Sequence, residues 1–237
     1  MATNKMNYHG QSPWYPQASP SASSFSPASS TGRTRDIRGS KMTILRVINL
    51  FKEKNISLFR SDDLKKIFKI KSENTLKKLL QRLKKANIIK RLIKNKYLFI
   101  PLEETTSDFQ IANFLVSPSY ISLESALSFY GLIDQFPYRI ASITLKKSRE
   151  FTIHKKLFVY SKIKKEYFKD FLKLDNFLIA TKKKALFDYL YFIYKGLRPK
   201  SSMADLRNYL KEKEFKDYLL ENADLKFLSF VKRHVKL

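Results

Sequence analysis

Residues 72–86 read Ser72-Glu73-Asn74-Thr75-Leu76-Lys77-Lys78-Leu79-Leu80-Gln81-Arg82-Leu83-Lys84-Lys85-Ala86. At about 100° per residue, Leu76, Leu79, Leu80, Leu83 and Ala86 converge on one side, which predicts an amphipathic helix with that stripe buried. Asn74, Lys78, Gln81 and Lys85 lie opposite, with Lys77 and Lys84 on one flank and Thr75 and Arg82 on the other. Amides, ammonium groups and a guanidinium offer donors and acceptors to base edges, while Ser72 and Thr75 near the helix amino terminus suit phosphate. The expected DNA-reading set on this helix is Ser72, Asn74, Thr75, Lys77, Lys78, Gln81, Arg82 and Lys85. A solvated basic helix carries the same pattern, so the flanking elements decide between the two.

Upstream, Ile44, Leu45, Ile48 and Phe51 fall at helical spacing. Ser61, as N-cap, followed by Asp62 and Asp63 opens a second helix with Leu64, Ile67 and Phe68 on one face. A turn at Lys69 to Lys71 then leads to the third helix. Downstream, Ile88 to Ile93 and Tyr97 to Ile100 read as a hairpin closed by Lys94-Asn95-Lys96, where Asn tolerates left-handed turn geometry. Three helices followed by a hairpin are the order of a winged helix-turn-helix domain, here residues 41–102, with Lys94 and Lys96 at the wing tip as further phosphate or minor-groove contacts. This span holds 18 basic against 4 acidic residues, whereas 103–237 holds 25 against 16. The charge is concentrated where the helix reading needs it.

The whole chain of 237 residues carries a formal net charge of +26, which implies a polyanionic partner. It has no run of apolar residues long enough to span a bilayer, so double-stranded DNA is the expected partner and a membrane is not. Zero cysteines exclude disulfides, thiolate zinc sites and thiol catalysis and favour a reducing, cytoplasmic setting. His9, His154 and His234 have no ligand spacing, so no metal and no cofactor are expected. Residues 1–40 hold nine Ser and four Pro without apolar periodicity and are expected to form a disordered leader or tail, with Arg38-Gly39-Ser40-Lys41-Met42 reading as an engineered leader joined near a native start, or else as part of a natural flexible arm.

After a polar linker, Glu103 to Asp108, residues 103–237 are expected to form a mixed α/β domain with a small sheet and several helices, making the chain α+β overall. Ser122 caps a helix with Leu123, Ala126, Leu127 and Tyr130 on one face and Gly131 as terminator. Arg139 to Lys146, with Ala141, Ile143 and Leu145 on a face, and Leu157 to Ile163 alternate as strands, and Asn176 to Ala180 reads as a third. Thr181 caps a helix with Ala185, Leu186, Tyr189, Leu190 and Ile193 inward, ended by Gly196. Two or three short helices follow from Ser202 to Val235.

The block Ser117-Pro118-Ser119-Tyr120-Ile121-Ser122-Leu123-Glu124-Ser125-Ala126-Leu127, then Tyr130-Gly131-Leu132-Ile133, resembles the AbiEi antitoxin family. So do Pro137-Tyr138-Arg139-Ile140, the strand with Ser142, Ile143 and Thr144, the basic cluster leading to Arg149-Glu150-Phe151, and Ile179-Ala180-Thr181 with Lys184-Ala185-Leu186 and Asp188. The resemblance spans roughly residues 41–195 and stops before about Pro199. It implies a type IV toxin-antitoxin, or abortive infection, system of phage defence. In such a system the chain represses its own promoter and counters a nucleotidyltransferase-like toxin, without a direct toxin contact being required. A monomer that cooperates on DNA is expected. Glu124, Tyr130, Arg139, Arg149 and Tyr160 are the antitoxicity candidates. Alternatively, Glu124 marks a helix amino terminus, Tyr130 packs in the core and the arginines add to a basic surface.

An enzyme is not expected. The glycines at 10, 32, 39, 131 and 196 form neither a phosphate loop nor a dinucleotide fingerprint, and no Gly-x-Ser-x-Gly elbow occurs. Asp134 and Glu150 with Lys146 and Lys147 are the only hint of a nuclease centre, and scattered surface charge explains them as well. A stand-alone transcriptional regulator with a sensing second domain is the closer alternative.

Overall fold

A computed structural model describes residues 44–134, 138–204 and 206–235. The tail expected at 1–40, the start of the first domain at 41–43 and Pro137 lie outside them. The chain is mixed α and β and divides into two compact units, with the boundary between Thr106 and Ser107.

In the first unit the order is α1 (Ile44–Glu53), β1 (Leu58–Arg60), α2 (Ser61–Ile67), α3 (Glu73–Lys85), β2 (Ile89–Ile93) and β3 (Lys96–Phe99). The strands form an antiparallel sheet in the order β1-β3-β2, with Phe59 opposite Tyr97 and Arg91 opposite Tyr97 on the other side. Its core is Val47, Phe51, Phe59, Leu64, Leu79, Leu83, Ile89 and Phe99, in which the Phe51 ring meets those of Phe59 and Phe99 edge-on. Strand β1 is an element the sequence pattern did not predict.

Several local expectations need correction: Leu45 and Ile67 are exposed rather than on the buried faces of α1 and α2, where Val47 and Phe51, and Leu64, sit instead. Ser61 is not the N-cap of α2 but its first, buried residue; Arg60 holds the cap position, and its backbone N–H donates to Asp63 at 2.7 Å. Ala86 is not part of the buried stripe: it is the exposed C-cap of α3, one position past the last helical turn. The turn between α2 and α3 uses Lys69 at φ 50° and the hairpin uses Asn95 at φ 62°, the left-handed region that the short polar Asn accepts readily.

The second unit opens at α4 (Asp108–Leu115), capped reciprocally by Ser107 and Gln110, so the expected linker is already helical at its end. Then come β4 (Ser119–Ile121), α5 (Leu123–Phe129), β5 (Arg139–Thr144), β6 (Arg149–Ile153), β7 (Lys156–Lys162), β8 (Phe171–Leu174), β9 (Phe177–Ala180), α6 (Lys182–Tyr194), α7 (Arg207–Leu210), α8 (Lys213–Asn222) and α9 (Leu225–Val235). The sheet is six-stranded, ordered β6-β7-β5-β4-β9-β8, with β5 parallel to β7 and β4 parallel to β9. It is larger than the three strands expected.

Strand β4 shows how the layers stack. Ser119 on one face reaches Asn113 of α4, while Tyr120 on the other face donates its hydroxyl to Asp188 of α6. Both faces of the sheet centre are therefore covered. In β5 this buries Ile140 and Ser142 along with Ala141 and Ile143, and Leu145 lies beyond the strand end. Helix α6 likewise has no solvent face over Lys184–Ile193, all ten residues being buried, rather than the single inward stripe expected. Gly131 (φ 66°) and Gly196 (φ 72°) end α5 and α6 as expected.

Candidate nucleic-acid interface

Helix α3 presents the face that its sequence predicts. Leu76, Leu79, Leu80 and Leu83 are buried, and Ser72, Asn74, Thr75, Lys77, Lys78, Gln81, Arg82 and Lys85 are all exposed. Ser72 is the N-cap, yet its hydroxyl makes no bond to the helix, which leaves it available to an anion at the positive helix end. Among the described residues no carboxylate pairs with Lys78, Lys84, Lys85 or Lys94, and Lys77 makes no ion pair but feels the Glu73 carboxylate one turn away.

Glu73 is the one acid on this helix, and Lys65 of α2 bonds to it directly. That hydrogen bond holds the Glu73 carboxyl below the usual carboxylate range and raises the Lys65 ammonium, so the pair is internally neutral. Glu73 therefore opposes a polyanion less than its formal charge suggests. At the hairpin Lys94 is exposed and Lys96 half-buried. Arg91, passed over in the sequence, is exposed beside buried Leu92, and its Nε donates to the Ile93 carbonyl at 3.3 Å. The alternation Arg91-Leu92 was the available signal. Lys90, by contrast, is spent on Glu103 at 2.7 Å.

In the second unit the candidates separate. Glu124 and Arg139 come together at 3.3 Å, and Arg198, which sequence reasoning missed, binds the same carboxylate at 2.5 Å through Nε and at 3.4 Å through Nη2. The helix entrance imposes this: Leu123 sits at φ 53° with its side chain fully buried, which turns the chain sharply between β4 and α5. Tyr130 donates to the Ala180 carbonyl at 2.8 Å and Tyr160 to the Ala112 carbonyl at 2.7 Å. Both hydroxyls brace backbone, and Tyr160, 1% exposed, has its hydroxyl pushed up by burial. Arg149 stands apart on the edge strand β6, exposed.

Beneath this lies a polar cluster. The Asp188 carboxylate, 0% exposed, takes the Lys184 ammonium at 2.7 Å, the Ser122 hydroxyl at 2.8 Å and the Tyr120 hydroxyl at 3.0 Å. Burial raises the Asp188 carboxyl, with the Lys184 charge and the hydroxyl donors pulling against it. Ser125 completes the set, accepting from Ala141 N–H at 2.8 Å and donating to the Arg139 carbonyl at 3.2 Å. The Ser-Tyr-Ile-Ser-Leu-Glu-Ser block thus fastens β4, α5, β5 and α6 to one another.

Among the described residues no group of His, Asp and Glu could hold a metal ion, and no helix is long and apolar enough to cross a membrane. No protein-family model matches the chain, and no curated protein matches it.

Proposed function

We propose that this chain is a DNA-binding autorepressor and antitoxin of the AbiEi kind, cytoplasmic and without enzymatic activity of its own. Its first unit acts as a winged helix-turn-helix domain, in which α2 and α3 form the helix pair and the β2–β3 hairpin forms the wing. The observation that carries this reading is the outward face of α3: amides at Asn74 and Gln81, cations at Lys77, Lys78 and Lys85, and the sole acid neutralised by Lys65. The resemblance of residues 117–127 and of the segments around Arg139 and Asp188 to that family supports the antitoxin half. There the Glu124–Arg139–Arg198 cluster is the surface-reaching part to test.

With about 6 to 8 phosphate contacts, log affinity for the chain's own promoter falls against log salt with a slope of roughly −5 to −7. Lys78→Ala and Lys85→Ala weaken binding to every sequence and shallow that slope by about one each, whereas Asn74→Ala and Gln81→Ala lose discrimination at single base pairs by about 1–3 kcal/mol. Electrophoretic titration of promoter and scrambled duplexes at several salt concentrations measures both, and a salt-independent affinity refutes the reading. Co-expression with an adjacent nucleotidyltransferase-like toxin tests the second half. Rescue of growth by the wild-type chain supports antitoxin, and failure to rescue leaves only a stand-alone repressor.

A further inference from the structure

Between α6 and α9 a row of aromatic rings climbs out of the second unit's core. Phe227 is fully buried, and the Tyr194 ring lies 5.4 Å from it and 5.4 Å from that of Phe230, both Tyr194 and Phe230 being half-buried. The row ends on His234, an exposed residue whose ring lies 4.3 Å from that of Phe230 at 33°. Its orientation is fixed: Nδ1 donates to the Phe230 carbonyl at 2.9 Å, and Nε2 sits 3.3 Å from the Lys200 ammonium. With one face on Phe230, the other face of the imidazole is the one that solvent reaches.

Cations surround this end of the row. Lys195 lies 5.2 Å from the centre of the Tyr194 ring and Lys200 5.6 Å from that of Phe230. Lys226 and Arg233 are the helix neighbours of Phe230, one turn before and after it, and Arg207 lines a cleft of about 330 Å³ together with Lys200 and His234. All five are exposed, and none pairs with a carboxylate among the described residues. At the other end of α6, by contrast, Lys182 and Lys183 meet Glu212 and Glu214.

Rings that end on an open imidazole, set among uncompensated cations, match what an unpaired strand offers: flat bases joined by phosphates. A duplex hides its base faces within its own stack, so the ring is of no use to it. The imidazole is held before any ligand arrives, which lowers the entropy lost on binding. We propose that this surface binds single-stranded nucleic acid, with a base stacked on the outer face of His234 and the flanking phosphates on Lys200 and Arg207. It shares no residue with the α3 face and stands whether or not the DNA reading does.

Fluorescence anisotropy of the full chain with labelled oligothymidylate and oligouridylate octamers tests it, with an abasic octamer as the charge-only control. We expect Kd between about 0.1 and 10 μM at about 50 mM salt, and at least roughly fivefold weaker binding of the abasic strand. The tighter of the two octamers tells whether the strand is DNA or RNA. Phe230→Leu with His234→Ala raises the octamer Kd at least about tenfold without changing the salt slope, because stacking releases no counterions. If that pair perturbs folding by circular dichroism, His234→Ala alone, at an exposed position, raises it about threefold to fivefold. Lys78→Ala with Lys85→Ala weakens duplex binding and leaves the octamer Kd within about twofold, so the two readings fail separately. The chain has three histidines, and in proton NMR the octamer is expected to move the His234 ring signals upfield while those of His154 stay in place. An abasic strand or an oligoglutamate of equal charge binding as tightly as the octamer overturns the proposal. So does octamer binding that the ring variants retain, or that is lost with the α3 lysines instead.

Discussion

Asp188 concentrates the second unit's polar chemistry on one carboxylate, and what happens when it is removed separates its roles. Alanine there leaves the Lys184 ammonium, 1% exposed, without a partner, and strands the Tyr120 and Ser122 hydroxyls. An uncompensated buried charge costs several times what a lost neutral hydrogen bond costs. Asp188→Ala is therefore expected to destabilise by about 3–5 kcal/mol. Replacing both charges, Lys184→Met with Asp188→Leu, is expected to recover part of that loss, because only the two hydroxyls then remain unsatisfied. Urea denaturation of the wild type and both variants decides. If the double variant is no more stable than Asp188→Ala, the ammonium is not the source of the cost. Glu124 sits in a different regime: Arg139 reaches solvent, and although Arg198, its closer partner, is mostly buried, Glu124→Gln keeps an acceptor for it, so that variant is expected to cost less stability than Asp188→Ala and is the milder test of antitoxicity.

Helix α3 divides its work between two faces, and the division is measurable. Leu83 is fully buried in the first unit's core, so Leu83→Ala is expected to cost about 2–5 kcal/mol, while Lys85→Ala two positions on stays within about 0.5 kcal/mol and loses DNA affinity instead. Chemical denaturation beside a DNA titration reads both, and a Leu83→Ala penalty under about 1 kcal/mol contradicts the assigned stripe. This helix was legible in the sequence because its period of burial is unbroken over four leucines. So were α5, β5, β7, β9 and α6, each marked by a cap, a terminating glycine or alternation. Strand β1 was not, being three residues whose partner β3 is nearly forty positions away. Strand β4 failed for the same reason of length, β8, as long as β9, because Leu172 and Lys173 are both exposed and its residues show no alternation of burial, and β6 because Arg149, Glu150 and Thr152 face solvent on a sheet edge and read as loop. The Asp188 cluster was invisible as a cluster: its four members lie up to 68 positions apart, and only the fold brings them together. Arg198 was hidden likewise, its tie to Glu124 spanning 74 positions.

At the scale of the whole molecule two opposing effects govern stability in alkali. The net charge of +26 repels itself, and lysines losing protons near pH 10 relieve that repulsion. Buried and half-buried tyrosines work the other way. Burial pushes up the hydroxyls of Tyr120, Tyr160 and Tyr218, and that of Tyr167 to about 12, the last three of which, with Tyr120, hold partners at Asp188, Ala112, Asp170 and Asp224. A folded-state pKa above the unfolded value near 10 means that this stability is complete below pH 10 and is lost as pH rises toward 12 and beyond. Salt distinguishes the two effects, because at about 0.5 M the screening length falls to a few Å and removes most of the lysine contribution, while buried hydroxyls are shielded little. In high salt, tyrosinate absorbance is expected to rise in two phases: exposed tyrosines near pH 10, then the buried set together with loss of the far-ultraviolet circular dichroism signal. All tyrosines ionising in a single gradual phase with the dichroism intact would show that these hydroxyls are not locked into the fold.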